Sequence, residues 1–403
     1  MPVEQSDEIS SAGIKQKIAG FVLLTFIGYF SIGLPLAVLP IYIHKTLGYS
    51  ELTTGIVISL QYITTLLMRG YSGKIVDTKG PKQIVKLSMS GFALSGLLLL
   101  ISFYFQSIPV LSLLLLSITR LLTGCAEGMI GASPINWAML TLGDKHTATA
   151  ISYNGIASYG ALAIGAPLGV VCVQYASLYS IAFITFLIGL TGWLYASSKK
   201  AVKPNITQGD PASFSNVLRI VAPFGICLGL SAIGFGGISN FITLYYDYFH
   251  WTNAALCLTV FSAMFIIGRL FFAKYIDTKG GLQVGLICFI TELVGLIILF
   301  MASNPTFALL GSGITGIGFS LVFPALGVEA VRSAPAANAG AALAGYGLFI
   351  DMSLGVTGPM IGGVIHWFGM PYLFAFCALA LLGGLILLLG VMNRKAAVST
   401  SYC

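Results

Sequence analysis

Charge is what this sequence has least of. Asp, Glu, Lys and Arg make up only 8% of its 403 residues, against roughly 25% in soluble domains, which excludes a single core folded in water. Short strands of alternating polarity are also missing, which excludes a membrane β-barrel. The seven cysteines form no CxxC pair and have no Cys/His ligand spacing, and six of them lie inside apolar stretches. Buried small hydrophobes fit them best, with no disulfide framework, metal site or cofactor expected. No nucleophile–base constellation and no nucleotide-binding module is visible, which argues against an enzyme or an ATP-driven pump. The one G-x-G-x-x-G match, Gly311 to Gly316, lies within a hydrophobic span and follows no strand, so close helix packing explains it better than a dinucleotide. The net charge of +7 is spread in short clusters between apolar blocks. It therefore forms no extended basic face for nucleic acid.

What is abundant is apolar sequence: 57% of the chain is hydrophobic and the mean hydropathy is +0.93. The apolar residues come in blocks of about 20 or more, the length that crosses a bilayer as a helix. The fold class read from this is an all-α integral membrane protein. Twelve spans are expected, near 17–44, 52–75, 83–105, 109–140, 147–174, 178–197, 216–248, 252–275, 281–302, 306–331, 338–367 and 371–393. Residues 1–16 form a polar tail, too long and acidic for a signal peptide, so the first span is expected to stay uncleaved. The stretch 198–215, "SKKAVKPNITQGDPASFS", reads as a linker between a six-helix half at 17–197 and another at 216–393. A short tail covers 394–403. Lys and Arg outside the spans gather on the side of the N-terminus, and only Lys45 falls opposite. The positive-inside rule then places both termini and the linker in the cytoplasm.

One charged stretch is written twice. Residues 69–83 and 269–283 lie 200 positions apart and share seven of fifteen residues, among them Arg, Asp and Gly. The offset is half the chain, so two parallel six-helix repeats are expected, with the substrate site between them near the midplane. Gly128 with Pro134 and Gly318 with Pro324 echo this at equal spacing. Each copy is the turn after the second span of its half. Gly80 and Gly280 suit a tight turn, and Asp77 and Asp277 suit a helix N-terminus.

The stretch Gly73-Lys74-Ile75-Val76-Asp77-Thr78-Lys79-Gly80-Pro81-Lys82 resembles the loop signature of the major facilitator superfamily, with Thr78 where a basic residue is usual. Arg120 to Gly124 is similar to that superfamily's Arg-x-x-x-Gly pattern in helix 4. Helix 11 carries Gly358-Pro359-Met360-Ile361-Gly362-Gly363, which looks like the signature of proton-driven exporters. Helix 5 holds a damaged version around Pro167 and Gly169. More narrowly, "YFSIGLPLAVLP" and "GFSLVFPALGV" look like the YhhS/YfcJ group of bacterial inner-membrane permeases. The resemblance implies the major facilitator fold and a cytoplasmic gate built from Arg69, Gly73, Asp77, Gly80, Lys82, Asp277 and Gly280. It also implies a cavity lined by helices 1, 4, 7 and 10. The second gate copy has Ala273 and Leu282 in place of Gly73 and Lys82 and is expected to be the looser lock.

Ionisable residues inside a membrane cost about 2.5–3.5 kcal/mol at a helix centre on insertion scales, so each one asks for a reason. Arg120 and Glu127 are seven residues apart on one helix face, about 10.5 Å along the axis. With Asp351 they are the proton-coupling candidates; Glu292 and Asp247 are further acids at depth. Tyr29, Asn136, Asn154, Asn240 and Tyr245 offer hydrogen bonds to a polar solute, although amides and hydroxyls also tie helices together. Pro167, Gly169, Gly358, Pro359 and Gly362 are the packing or hinge candidates. The expected function is secondary active transport, with proton-coupled export of a small solute (a sugar, drug or metabolite) by a monomer in the bacterial inner membrane. Uptake by symport is the alternative within the class; a sensor or a channel is the alternative outside it. A sensor would want a soluble domain and a channel a continuous polar lining.

Overall fold

The computed structural model describes residues 11–142, 147–202, 214–335 and 339–400. Every described element is helical, and twelve helical segments are long and apolar enough to cross a membrane. The first is α1 (Ser11–Leu36) with the short α2 (Leu39–Ile41) and a π-turn over Tyr42–Thr46. Then come α3 (Glu51–Lys79), α4 (Pro81–Tyr104), and the fourth span in two pieces, α5 (Pro109–Ile130) and α6 (Ser133–Leu142). α7 (Thr147–Tyr175) and α8 (Leu178–Ser198) close the first half. The second half has α9 (Phe214–Tyr248), α10 (Ala255–Phe272) with the short α11 (Tyr275–Lys279), and α12 (Gly281–Phe300). It continues with α13 (Pro305–Ser320) and α14 (Val322–Ser333), then α15 (Ala339–Phe368) and α16 (Leu373–Thr400). The helix α16 runs past the expected end of the last span, because the good helix formers Arg394, Lys395, Ala396 and Ala397 continue it.

Local chemistry sets these boundaries. Ser50 caps α3 by accepting from the Thr53 amide, and Asn304 caps α13 by accepting from Phe307. Pro81, Pro109 and Pro305 each stand at the first position of their helix, where the missing N–H costs nothing. Inside spans proline acts differently, because it removes the bond to the carbonyl four residues earlier. Three breaks fall where that happens: after Leu36 ahead of Pro40, after Ile130 ahead of Pro134, and after Ser320 ahead of Pro324. The last two fall at nearly equivalent places in the two halves. Gly80 and Gly280 adopt φ of 85° and 83° and turn the chain abruptly between helices.

The halves repeat one packing scheme. In the first, α1 lies on α7, α3 on α5 and α4 on α5 and α8. In the second, α9 lies on α15, α10 on α13 and α12 on α13 and α16. The halves meet where α3 crosses α15, where α7 crosses α10, and where α2 touches α9. On the outside, α12 presents Ile287, Ile290, Val294 and Ile297 as an exposed stripe at helical spacing, the surface expected to face lipid chains. The glycines at 311 and 316 lie inside α13, against Gly295 and Phe261.

Because successive spans alternate in direction, the face carrying the start of α1 is here called the terminal face, and the other the far face. The halves are locked together on the far face. Lys45 reaches Asp247 at 2.6 Å across the halves. Gly55 and Gly358 bring the backbones of α3 and α15 into direct contact, and Gly362 packs on Leu52 one turn further out. A Cβ at Gly362 would stand 2.8 Å from the Leu52 Cα, so only glycine permits this approach.

Candidate functional site

A polar stripe runs down α3 at a spacing of four residues: Gln61, Thr65 and Arg69. It faces the middle of α5, where Arg120 and Glu127 are buried. Arg120 and Glu127 do not touch each other directly. The Gln61 amide stands between them, accepting from Arg120 Nη1 at 2.7 Å and donating through Nε2 to Glu127 Oε2 at 2.7 Å. Thr65 Oγ1 lies 3.1 Å from the same carboxylate oxygen, within hydrogen-bonding distance. Thr123 supports the guanidinium at 3.5 Å and is itself held by Ser95. The amide thus bonds an acid and a base at once, which helps two charged groups tolerate burial at this depth, although Arg120 Nε has no hydrogen-bond partner among the described residues.

Arg69, expected at the gate, lies one step further along the stripe and crosses to the other half. Its Nη2 donates to Asp351 Oδ1 at 2.9 Å, and its Nε forms an ion pair with Asp351 Oδ2. Asp351 is buried on α15, so this is a two-pronged ion pair between the halves. The hydroxyls of Tyr29 and Tyr62 each lie within electrostatic reach of both Glu127 and Asp351. The network and the ion pair therefore belong to one central region.

Other expected residues are placed elsewhere. Asn154 accepts from Thr25 at 2.7 Å and donates to the Gly131 carbonyl at the break in the fourth span. It joins α1 and α7 to that break. Asn240 is fully buried with its side-chain nitrogen unpartnered, and Asn136 is half-buried on α6. The Tyr245 hydroxyl donates to the Leu299 carbonyl, and its ring packs on Phe249, Trp251 and Phe374 inside the second half. Glu292 is fully buried and accepts from Ser231 at 2.5 Å, apart from the central network. Pro167 lies within α7, where Gly169 packs on Leu34 of the same half; the intact signature of α15 packs instead on α3 of the opposite half.

The loop residues divide. Lys82 donates to the carbonyls of Ser197 and Lys199 at 2.8 and 2.5 Å, holding the turn to the end of α8 in its own half. Asp277 lies in the first turn of α11, as expected of a helix start. Asp77 lies in the last turn of α3 instead, because that helix runs unbroken to Lys79; its side chain, like that of Lys74, lies outside the described residues. Gly73 has open space on its Cβ side. Gln61 and Thr65 were not singled out in the sequence, although their spacing of four with Arg69 on one apolar helix was the available signal.

The sequence profile of the Major Facilitator Superfamily matches residues 21–353 and 224–401. The chain belongs to the Major Facilitator Superfamily. It is 47% identical over 394 residues to an MFS-type transporter of Pseudomonas aeruginosa (strain LESB58), covering 98% of both chains. It is 44% identical over 385 residues to one of Burkholderia pseudomallei (strain 1106a), covering 96% of this chain and 94% of that one. Among solved structures, the fold is similar to that of a point mutant of the nucleoside transporter NupG, with a TM-score of 0.72. It is also similar to the human organic anion transporter MFSD10, with a TM-score of 0.67. Both likenesses cover 93% of this chain and 99% of the other at 14% identity, so they establish the fold and leave the cargo open. As a superfamily member with this fold, the chain is a multi-pass secondary transporter of small molecules and not an enzyme.

Proposed function

We propose that this superfamily member exports a small solute in exchange for protons, working as a monomer in the bacterial inner membrane with both termini in the cytoplasm. The observation that carries the reading is the continuous polar array from Arg120 through Gln61 to Glu127, beside an Arg69–Asp351 ion pair that spans the two halves. Alternating access needs the halves to rock against each other, and such motion changes the distance between Arg69 and Asp351. Glu127 is the proposed proton carrier. Protonation removes its charge, and a proton on Oε2 makes that oxygen a donor facing the Gln61 amino group, so the amide turns away and its bond to Arg120 changes with it. Asp351 supplies the second proton-sensitive group, since neutralising it releases Arg69 and frees the seam.

The direction rests on the resemblance of Gly358 to Gly363 to exporter sequences, and the membrane and topology on the Lys and Arg distribution. Gly73, Asp77, Gly80 and Lys82, with the copy at Asp277 and Gly280, form the proposed gate on the terminal face, and Arg69 extends it inward to Asp351. Tyr29, Asn136, Asn154 and Asn240 are the proposed polar contacts for solute; Tyr245 contributes through packing in the second half. The closed far face, with Lys45 on Asp247, suits a state open toward the terminal face.

Purified protein in liposomes with an imposed proton gradient of either sign tests this. Exchange with protons predicts solute accumulation in the liposomes only when the lumen is acid, and alkalinisation of that lumen as solute enters. Accumulation only with an alkaline lumen would make the protein a symporter. No gradient dependence would reject proton coupling.

A further inference from the structure

The second half copies the geometry of the first with different chemistry. At the offset of 200 residues, α10 places Phe261, Phe265 and Arg269 where α3 has Gln61, Thr65 and Arg69. Gly316 of α13 packs on the Phe261 backbone as Gly124 of α5 packs on that of Gln61. Phe319, three residues on, therefore takes the place of Glu127. Phe235 of α9 stacks on Phe261 at 5.3 Å and on Phe319 at 5.9 Å. Tyr159, which α7 contributes from the first half, stacks on Phe265 at 3.7 Å with an interplanar angle of 22°. A polar wall in one half thus corresponds to an aromatic wall in the other.

Only the arginine is kept, and its partner is lost. Arg69 has Asp351 on the crossing helix, but α7, which crosses α10, carries no Asp or Glu along its length. Among the described residues Arg269 has no ion pair; the Tyr159 phenol lies in its electrostatic surroundings, and the buried Glu292, held by Ser231, acts in turn on that phenol. The guanidinium carbon lies 5.3 Å over the Phe265 ring, one helical turn back toward the membrane interior. An arginine that only marked the terminal face would extend the other way, toward water. Its Nη1 occupies the space that a Cβ on Gly155 would need, so the glycine makes a cradle for the cation at the seam between the halves. The result is a half-buried, uncompensated positive charge against an aromatic stack.

We infer that Arg269, Tyr159 and Phe265 bind the anionic end of a flat aromatic solute, with a carboxylate or a phosphate on the guanidinium and the ring extending the Tyr159 stack. This deepens the transporter reading and rests on it. A planar guanidinium offers two parallel N–H donors to either anion, and the incoming charge supplies the compensation the protein withholds. Aromatic rings prefer offset stacking, which the Tyr159–Phe265 pair already displays.

The test is calorimetric titration of the full chain in a neutral maltoside detergent, which keeps lipid phosphate away from the site. The probes are 2-naphthoate, 2-naphthyl phosphate, 2-naphthamide and 2-naphthylmethylamine. The expected result is that at least one anion binds tenfold or more tighter than the amide, with the amine weakest. Arg269→Gln should remove that preference, Arg269→Lys should keep part of it, and Tyr159→Leu should weaken both anions several-fold. Gly155→Ala, which displaces the guanidinium without altering its charge, should also weaken them. Lys86→Gln, a cation held over Trp193 within the first half, should bind as wild type. Equal binding of anion and amide, no binding of either anion, or an anion preference that survives Arg269→Gln would each overturn the proposal. Gradient-driven transport of a neutral solute without anion binding would leave the transporter reading standing alone. Arg269-dependent anion binding without gradient-driven transport would leave the site and reject the coupling.

Discussion

Arg69 and Asp351 are 282 positions apart in sequence and meet through two contacts, one of them 2.9 Å from Nη2 to Oδ1. Removing one partner of a buried ion pair strands the other charge at a cost of about 3–5 kcal/mol, whereas removing both can be nearly neutral. Arg69→Gln and Asp351→Asn should each lower the melting temperature in detergent and cut gradient-driven transport at least tenfold. The double variant should melt closer to wild type than either single variant, while remaining uncoupled. A double variant no better than the sum of the singles would show that the two side chains act separately.

Glu127→Gln keeps the shape of the side chain but cannot carry a proton. Uphill transport should be abolished, and counterflow of solute without a gradient should survive. Gln61→Met, of similar size but without hydrogen-bonding groups, breaks the link from Arg120 to Glu127 and leaves both facing apolar surface. It should lose most uphill transport, with a destabilisation of about 1–3 kcal/mol for the unsatisfied buried groups. Paired uphill and counterflow assays on both variants read the outcome. Normal uphill transport by Glu127→Gln would move the coupling role to Asp351.

Gly55 and Gly358 hold the far face closed through backbone contact. A methyl group added by Gly55→Ala overpacks that seam at a cost of about 1–3 kcal/mol, a roughly 5- to 150-fold shift between the two states. Spin labels at Ser107→Cys and Ser303→Cys, on far-face turns of opposite halves, should then report a longer distance. An unchanged distance distribution would mean that the seam yields without opening.

The orientation follows from Lys45 standing nearly alone on the far face. A reporter inserted between residues 202 and 214 should read cytoplasmic, and one at Gln106 periplasmic. The same location for both would refute the orientation of the twelve spans.

By itself, the sequence determined the architecture. Scarce charge and blocks of about 20 apolar residues leave helices as the only way to satisfy backbone groups in lipid. That is why the twelve spans fall close to the structural helices, and why the doubled loop at Gly80 and Gly280 marked two equivalent halves with the same positive φ. It also named Arg120, Glu127 and Asp351, because an ionisable residue inside an apolar span is conspicuous without any coordinates. What it left open was the partner of each charge. Helical spacing relates residues on one helix only, so Arg120 and Glu127 shared a face but had no visible connection until α3 supplied Gln61. Arg69 was grouped with its neighbours in the loop, and Lys82 with it. The crossing of α3 and α15 takes Arg69 to Asp351, while the end of α8 takes Lys82 into its own half. The contrast between a compensated Arg69 and an uncompensated Arg269 is likewise set by which helix crosses which. Charge pairing in a membrane is a matter of distance in space, and the tertiary packing of the two halves alone decides that distance.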